Sequence, residues 1–337
     1  MKQSNPASRN QTLRLTSKER DTLVASIEAG SAQLGGPNNY NWLNRIFLGE
    51  MEAISALIPS KSVDLLVLDP PYNLRRDFGT STFRPISMAE YACLFEKWLD
   101  HVEHALKPDA TIYVCADWRT SAAIFPILDR RYLIRNRINW EREKGRGSTI
   151  NWKSTAEDIW YCTRSTDFKF YPDRVRLRRD VIAPYRDTTG QPKDWVESDG
   201  GSYRDTAPSN LWTDLTVPFW SMSENTEHPT QKPEKLIAKL VLASSDEGDV
   251  VFDPFLGSGT SAVVAKKLGR QFVGIEREAE FAAVSQKRLN QTRLGDSIQG
   301  YRDGVFWARN TGALQSKTSD QNSRSTKPSP NMDVLLI

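Results

Sequence analysis

Short aliphatic runs alternate with segments of helical period through much of this chain. Arg45–Leu48 and Val63–Leu68 read as strands, and Met51–Leu57 between them has helical composition, so the three form a βαβ unit. A helix is predicted over Met88–Leu106, ending before Lys107-Pro108. It is followed by a strand over Thr111–Cys115, a helix over Ser121–Leu128 and a strand over Leu133–Trp140. Regular alternation resumes late in the chain: helix Pro233–Ser244, strand Val250–Phe252, helix Ser258–Leu268 closed by Gly269, strand Gln271–Ile275 and helix Ala279–Leu289. Such alternation predicts an α/β fold, a mostly parallel sheet with helices on both faces.

Between these blocks the texture changes. From 143 to about 226, glycine and proline interrupt every run except a strand-like Asp158–Thr163, which predicts a loop-rich insertion. Residues 1–40 show one amphipathic stretch, Lys18–Glu28, and read as an N-terminal appendage. Residues 293–337 read as a tail. Its Gln315–Asn331 stretch is too poor in apolar residues to offset ordering entropy, so disorder is expected there. The expected catalytic domain is therefore 41–292.

The net charge of +3 over 337 residues is modest, but cations gather in the middle of the chain. Arg130–Lys153 holds eight Lys/Arg against two acids, and Arg164–Arg186 holds seven against three. Trp140, Trp152, Trp160, Phe168, Phe170 and Tyr171 interleave with them, a composition suited to phosphate tracking and base stacking. Arg142, Lys144, Arg146, Lys153, Arg174, Arg176, Arg178 and Arg179 are the expected nucleic-acid contacts. No run approaches the roughly 18 apolar residues of a membrane span, and the polar start does not read as a secretory signal, so a cytoplasmic location is expected. Three scattered cysteines and three histidines lack metal-ligand spacing, so no metal is expected.

Two constellations carry chemistry. Strand Val63–Leu68 runs into Asp69-Pro70-Pro71-Tyr72-Asn73, which puts a carboxylate, a rigid turn and an aromatic ring at the carboxyl end of a strand, where open α/β sheets bind ligands. Prolines donate no N–H, so the turn is an acceptor array. An exocyclic amino group on a base is a poor nucleophile with two N–H donors. Asp69 and the Pro70 carbonyl suit those donors, and Tyr72 suits the base's π-face. The second constellation, Val250 to Thr260, joins a strand to a helix through Asp253-Pro254-Phe255-Leu256-Gly257-Ser258-Gly259. Its glycines permit close backbone approach to a nucleotide-like ligand, and Glu276, at the end of the next strand, suits ribose hydroxyls. Neither a full G-x-G-x-x-G nor a G-x-x-x-x-G-K-[ST] pattern is present.

Together, D-P-P-Y at 69–72, D-P-F-L-G-S-G-T at 253–260 and His228-Pro229-Thr230-Gln231-Lys232-Pro233 between them resemble the amino-methyltransferase family of bacterial DNA modification enzymes. The order, with the catalytic motif ahead of the cofactor glycines, resembles its β class, over about 41–292. The resemblance implies a Rossmann-like S-adenosylmethionine-dependent methyltransferase fold with a target-recognition insertion. It places the cofactor at Asp253, Phe255, Gly257, Ser258, Gly259, Thr260 and Glu276, with Lys232 near the cofactor carboxylate and Gly49-Glu50 near its adenine. Asp69, Pro70, Pro71 and Tyr72 are its catalytic residues. It further implies a flipped base in double-stranded DNA, direct in-line attack, and adenine N6 ahead of cytosine N4 because Asp opens the first motif. A cognate restriction endonuclease and a homodimer are expected partners. Methylation at cytosine C5 would need a thiolate, usually in a Pro-Cys pair, whereas Cys93, Cys115 and Cys162 follow Ala, Val and Tyr. A catalytically silent DNA-binding subunit on the same scaffold is the competing expectation.

Overall fold

The computed structural model describes residues 9–31, 42–77, 82–142, 149–181, 185–198 and 201–309. Its helices are α1 (Ser17–Ser31), α2 (Met51–Ser55), α3 (Met88–Glu103), α4 (Trp118–Arg131), α5 (Glu234–Ser244), α6 (Thr260–Lys267) and α7 (Ala279–Gln291). The strands are β1 (Arg45–Leu48), β2 (Val63–Leu68), β3 (Arg76–Asp77), β4 (Thr82–Phe83), β5 (Leu106–Ala116), β6 (Leu133–Glu141), β7 (Ala156–Thr163), β8 (Leu177–Asp180), β9 (Val196–Ser198), β10 (Gly201–Thr206), β11 (Leu211–Trp212), β12 (Val250–Asp253), β13 (Gln271–Glu276), β14 (Tyr301–Arg302) and β15 (Val305–Trp307).

Eight strands form the main sheet in the order β1-β13-β12-β2-β5-β7-β6-β11. From β1 to β5 every neighbour is parallel, while β7 runs antiparallel to both β5 and β6. The central strand shows why the sequence reads as it does. All of β2 is buried, and its side chains alternate between two cores. Leu65 and Val67 join residues of α5, α6 and α7 on one face; Leu66 and Leu68 join those of α3 and α4 on the other. Asp64, buried within this strand, is satisfied by Lys107 Nζ at 2.6 Å and the Val250 N–H at 2.9 Å.

α3 begins with a capping box between Ser87 and Glu90, and it buries Tyr91, Phe95, Trp98, Leu99 and Val102 at helical spacing. α5 is buried along its whole length, so its polar residues need partners. Glu234 is paired with Arg288 at 3.0 Å and Lys267 at 2.7 Å, and Lys235 and Lys239 both reach Asp214.

The strand predicted at Thr111 begins earlier, at Leu106, because a register irregularity between Val63 and Leu65 absorbs Lys107–Ala110 at the β2 edge. The expected insertion at 143–226 contributes β7 to the middle of the main sheet. Its later part gives β8, β9 and β10 to a second sheet, ordered β14-β15-β8-β10-β9, which also draws strands from beyond residue 292. The expected N-terminal appendage is integrated as well. α1 packs on α7 and β1, Glu19 meets Lys287 at 2.7 Å, and the Leu13 N–H donates to the Asn225 carbonyl at 2.9 Å. The expected disorder at 315–331 falls outside the described residues. Among those residues, no helix is long and apolar enough to cross a membrane.

Candidate active site

Parallel pairing of β2 with β12, with Leu65 opposite Val251 and Leu66 opposite Phe252, carries both motifs to the same edge of the sheet. There they line one cleft of about 710 Å³, with Asp69, Pro70 and Tyr72 on one wall and Asp253–Ser258 and Glu276 on another. Motifs separated by nearly the whole length of the domain thus share one space because parallel strands present their carboxyl ends together.

The Asp69 turn is braced from outside. The Tyr91 hydroxyl donates to the Pro71 carbonyl at 2.9 Å, and the Asn73 side chain makes two hydrogen bonds with the Ile86 backbone, at 2.7 and 2.9 Å. No donor from a described residue reaches the Pro70 carbonyl. The Tyr72 hydroxyl lies 3.2 Å from Asp69 and 3.1 Å from Glu157. Burial, then the charges of Asp69 and Glu157, push its pKa well above the ordinary phenol value, so it stays a neutral donor.

Lys232, expected near a cofactor carboxylate, lines the same cleft, and its ammonium lies 2.8 and 2.7 Å from the two Asp69 oxygens, 3.1 Å from the Tyr72 hydroxyl and 3.5 Å from Glu157. The turn ahead of α5 fixes this placement. Gln231 accepts from Thr226 and donates to the Glu224 carbonyl, and the Thr260 hydroxyl donates to the Lys232 carbonyl at 3.1 Å. Burial works against the charged form of Lys232, but Asp69 and Glu157 outweigh it and raise the pKa overall. Glu157, on β7, is in turn held by Arg142 at 2.6 Å. Burial would raise its pKa, yet Lys232 and Arg142 bring it below the ordinary value. Two acids and two bases are therefore matched in the cleft, the condition under which buried charge is tolerated.

The opposite wall is a cradle of backbone and carboxylates. Asp253 accepts from the Phe255 N–H at 3.0 Å and from the Ser261 hydroxyl; Glu276 accepts from the N–H groups of Gly257 at 2.7 Å and Glu278 at 2.8 Å. Burial pushes each carboxyl up to about 7. Gly257 has φ +55°, and a Cβ there would come within 3.0 Å of the His228 ring. That ring is half-buried, edge-on against Phe281 at 4.4 Å, and desolvation followed by the charges of Lys232 and Arg288 holds its pKa down to about 3, so the imidazole is neutral. Phe255 packs on Trp98 at 5.0 Å. Gly49 lines the cleft beside the β13 end, its N–H on the Glu276 carbonyl at 3.0 Å, and exposed Glu50 opens α2. Ser258 and Thr260 line the cleft while contacting Arg288.

Gly259 shapes the cradle without lining it. At φ +82°, a Cβ would stand 2.8 Å from Ser285 Cβ and 3.0 Å from its backbone. Gly259→Ala is expected to push α6 off α7 and weaken nucleoside-cofactor binding by at least about tenfold, through strain and poorer packing. Calorimetric titration giving unchanged affinity would refute this.

The basic residues expected to meet DNA lie in different settings. Arg142 belongs to the cleft wall. Arg174 pairs with Asp246 at 3.1 Å, Arg176 with Asp173 at 2.7 Å, and Arg178 forks onto Asp205 through two 2.7 Å bonds. Each of these three arginines is engaged by an acid of the chain itself, while the side chains of Arg174 and Arg176 stay 40% and 47% exposed. Lys153 and Arg179 are exposed, and Lys144 and Arg146 lie outside the described residues. Glu157 belongs to no motif that the sequence singles out. Its one signal there is an acid pair, Glu157-Asp158, opening an apolar strand. Among the described residues, no group of three or more His, Cys, Asp or Glu is arranged to hold a metal ion.

Comparison with known proteins agrees with this geometry. A DNA methylase profile of the N6/N4 methyltransferase type matches residues 63–287. The chain is 34% identical over 252 residues to Type II methyltransferase M.HpaI of Haemophilus parainfluenzae, covering 73% of this chain and 75% of that protein. It is 30% identical over 262 residues to Type II methyltransferase M.BglII of Bacillus subtilis, covering 74% and 69% respectively. Two solved structures share the fold. The PvuII DNA methyltransferase (cytosine-N4-specific) aligns with TM-score 0.54 and 17% identity over 82% of this chain and 91% of that one. The M1.HpyAVI–SAM complex aligns with TM-score 0.50 and 21% identity over 73% and 98%. An acidic Pro-Pro-Tyr turn facing a glycine cradle, in a chain matched over most of its length, has one reading: this protein belongs to the N6/N4 DNA methylase family, site-specific enzymes that methylate an amino nitrogen of a base in DNA.

Proposed function

We propose that this chain methylates adenine N6 at a specific double-stranded DNA site, with S-adenosylmethionine as donor and with the base turned out of the helix into the cleft. The observation that carries the reading is the pairing of the Asp69 carboxylate and the open Pro70 carbonyl beside the cofactor cradle in a single cleft. S-adenosylmethionine supplies an electrophilic sulfonium methyl. The cradle suits it: Glu276 keeps lone pairs for ribose hydroxyls, the residues after Asp253 give a close-approach turn, and Gly49 lets the backbone pass close to the Ile54 side chain beside the β13 end. Asp69 and the Pro70 carbonyl accept the two amino N–H groups, which localises the nitrogen lone pair toward the methyl. Tyr72 presents its ring to the base. Once the nitrogen has been methylated it carries a surplus proton, and the Asp69 carboxylate lies within reach to take it.

Adenine is favoured because Asp opens the first motif. The Type II naming of both relatives supports a modification role opposite an endonuclease of the same specificity. Base-resolution sequencing of DNA from a methylation-free host expressing the chain is expected to show N6-methyladenine at one recurring site. N4-methylcytosine in its place would overturn the adenine assignment.

The DNA surface is read from the cleft mouth. Trp152 is 93% exposed and stands just before Ser154 and Thr155 of the cleft lining, with Lys153 beside it. Replacing Lys153 and Arg179 together with serine is expected to weaken DNA binding and lower the salt slope by about one for each phosphate that is no longer neutralised. An unchanged slope in fluorescence anisotropy titrations from 50 to 200 mM salt, the range over which about six neutralised phosphates would change affinity a thousandfold, would place the DNA elsewhere.

A further inference from the structure

Glu157 belongs to none of the motifs, yet it links the groups around the catalytic turn. β7 brings it in from the antiparallel side of the sheet, opposite Trp140 of β6, and it lines the cleft. Its two oxygens have separate duties: Oε1 is held by Arg142 at 2.6 Å, while Oε2 accepts from the Tyr72 hydroxyl at 3.1 Å and lies 3.5 Å from Lys232 Nζ.

The Lys232 ammonium has three protons. Contacts with both Asp69 oxygens at 2.7 and 2.8 Å and with Tyr72 at 3.1 Å engage them all. It therefore competes for the same Asp69 oxygens that a base amino group would use. Glu157 is the second acid within reach. A shift of under about 1 Å would bring Nζ from 3.5 Å into the charge-assisted range with Oε2.

We propose that Glu157 is a positioning residue for methyl transfer: it anchors the Tyr72 hydroxyl and takes over the Lys232 ammonium as the target amino group engages Asp69. The inference rests on the function proposed above and assigns Glu157 and Lys232 work within it. Lys232 is an exchangeable counterion of the catalytic carboxylate, and Arg142 keeps the receiving carboxylate in place and ionised.

The test uses the full chain, tritiated S-adenosylmethionine and unmodified genomic DNA. Glu157→Gln preserves the side-chain shape and an acceptor oxygen but offers the ammonium no negative charge. Its kcat is expected to fall at least about tenfold while both KM values stay within about threefold. In a Lys232→Met background the same substitution is expected to cost less than about threefold, because a group acting through another loses its effect when that other is gone. Unchanged kcat in Glu157→Gln, or the same fold-loss in both backgrounds, would overturn the inference. If Glu157→Gln does not fold, Glu157→Asp serves instead. It retains the charge but draws it back from Lys232, and an unaltered kcat there would equally overturn the inference. Wild-type protein that transfers no label to DNA would instead sink the proposed function itself.

Discussion

Asp69→Ala is expected to reduce methyl transfer by on the order of 10³-fold, the scale seen when a preorganised polar partner of the reacting group is removed. S-adenosylmethionine affinity is expected to stay within about threefold, because the cradle groups around Gly257 and Glu276 hydrogen-bond among themselves and not to Asp69. The fold is expected to survive. Lys232 would lose its nearest carboxylate but keep Glu157 at 3.5 Å, so the ammonium is not orphaned. The full cost of stranding a buried charge, roughly 3–5 kcal/mol, therefore does not arise. Asp69→Asn separates acceptor geometry from charge: it retains one carbonyl oxygen for the amino group but gives Lys232 no anion, so it should transfer more than alanine and far less than wild type. Label transfer to DNA and calorimetric cofactor titration check both arms. Turnover of Asp69→Ala within tenfold of wild type would remove that carboxylate from the mechanism.

The parts of this site that were legible in the sequence are those encoded locally. Asp69 follows a buried aliphatic strand, and the Gly257 and Gly259 turn joins a strand to a helix, so a few adjacent residues fix both the element and the chemistry. Lys232 was visible as part of a motif, but its partner was not. Asp69 is 163 positions away, and only the packing of α5 beneath the sheet decides which carboxylate the lysine meets. Glu157 was hidden for the same reason, since its partners arrive from the residue after β6, the Asp69 turn and the segment before α5. The arginines at 174 and 178 show what a window count of charge leaves out: it does not register acids that meet the cations from outside the window, and Asp246 lies 72 positions from Arg174. The second sheet escaped because its strands are short and broken by turns, and two of them follow residue 292. Periodicity is weak over so few residues.

The buried lysines of α5 give the strongest stability prediction. Lys235 and Lys239, one helical turn apart, converge on Asp214, each at 2.7 Å, and the Lys239 ammonium also lies 4.8 Å from the Trp212 ring centre. Two cations share one carboxylate, so Asp214→Ala strands both and is expected to destabilise the fold by roughly 3–5 kcal/mol in urea unfolding. Burial, only partly countered by Asp214, pushes the pKa of Lys239 down to about 8 from its ordinary 10.5. Between those values the unfolded chain binds a proton that the folded chain has released, so this residue makes stability rise with pH across that window. Lys239→Met removes the contribution while leaving Lys169 and Lys232, whose raised values act in the opposite sense, in both proteins. Wild-type stability relative to Lys239→Met is therefore expected to climb by up to about 3 kcal/mol between roughly pH 8 and pH 10.5. A difference that stays flat or falls would show that the Lys239 ammonium is not under the strain its burial implies.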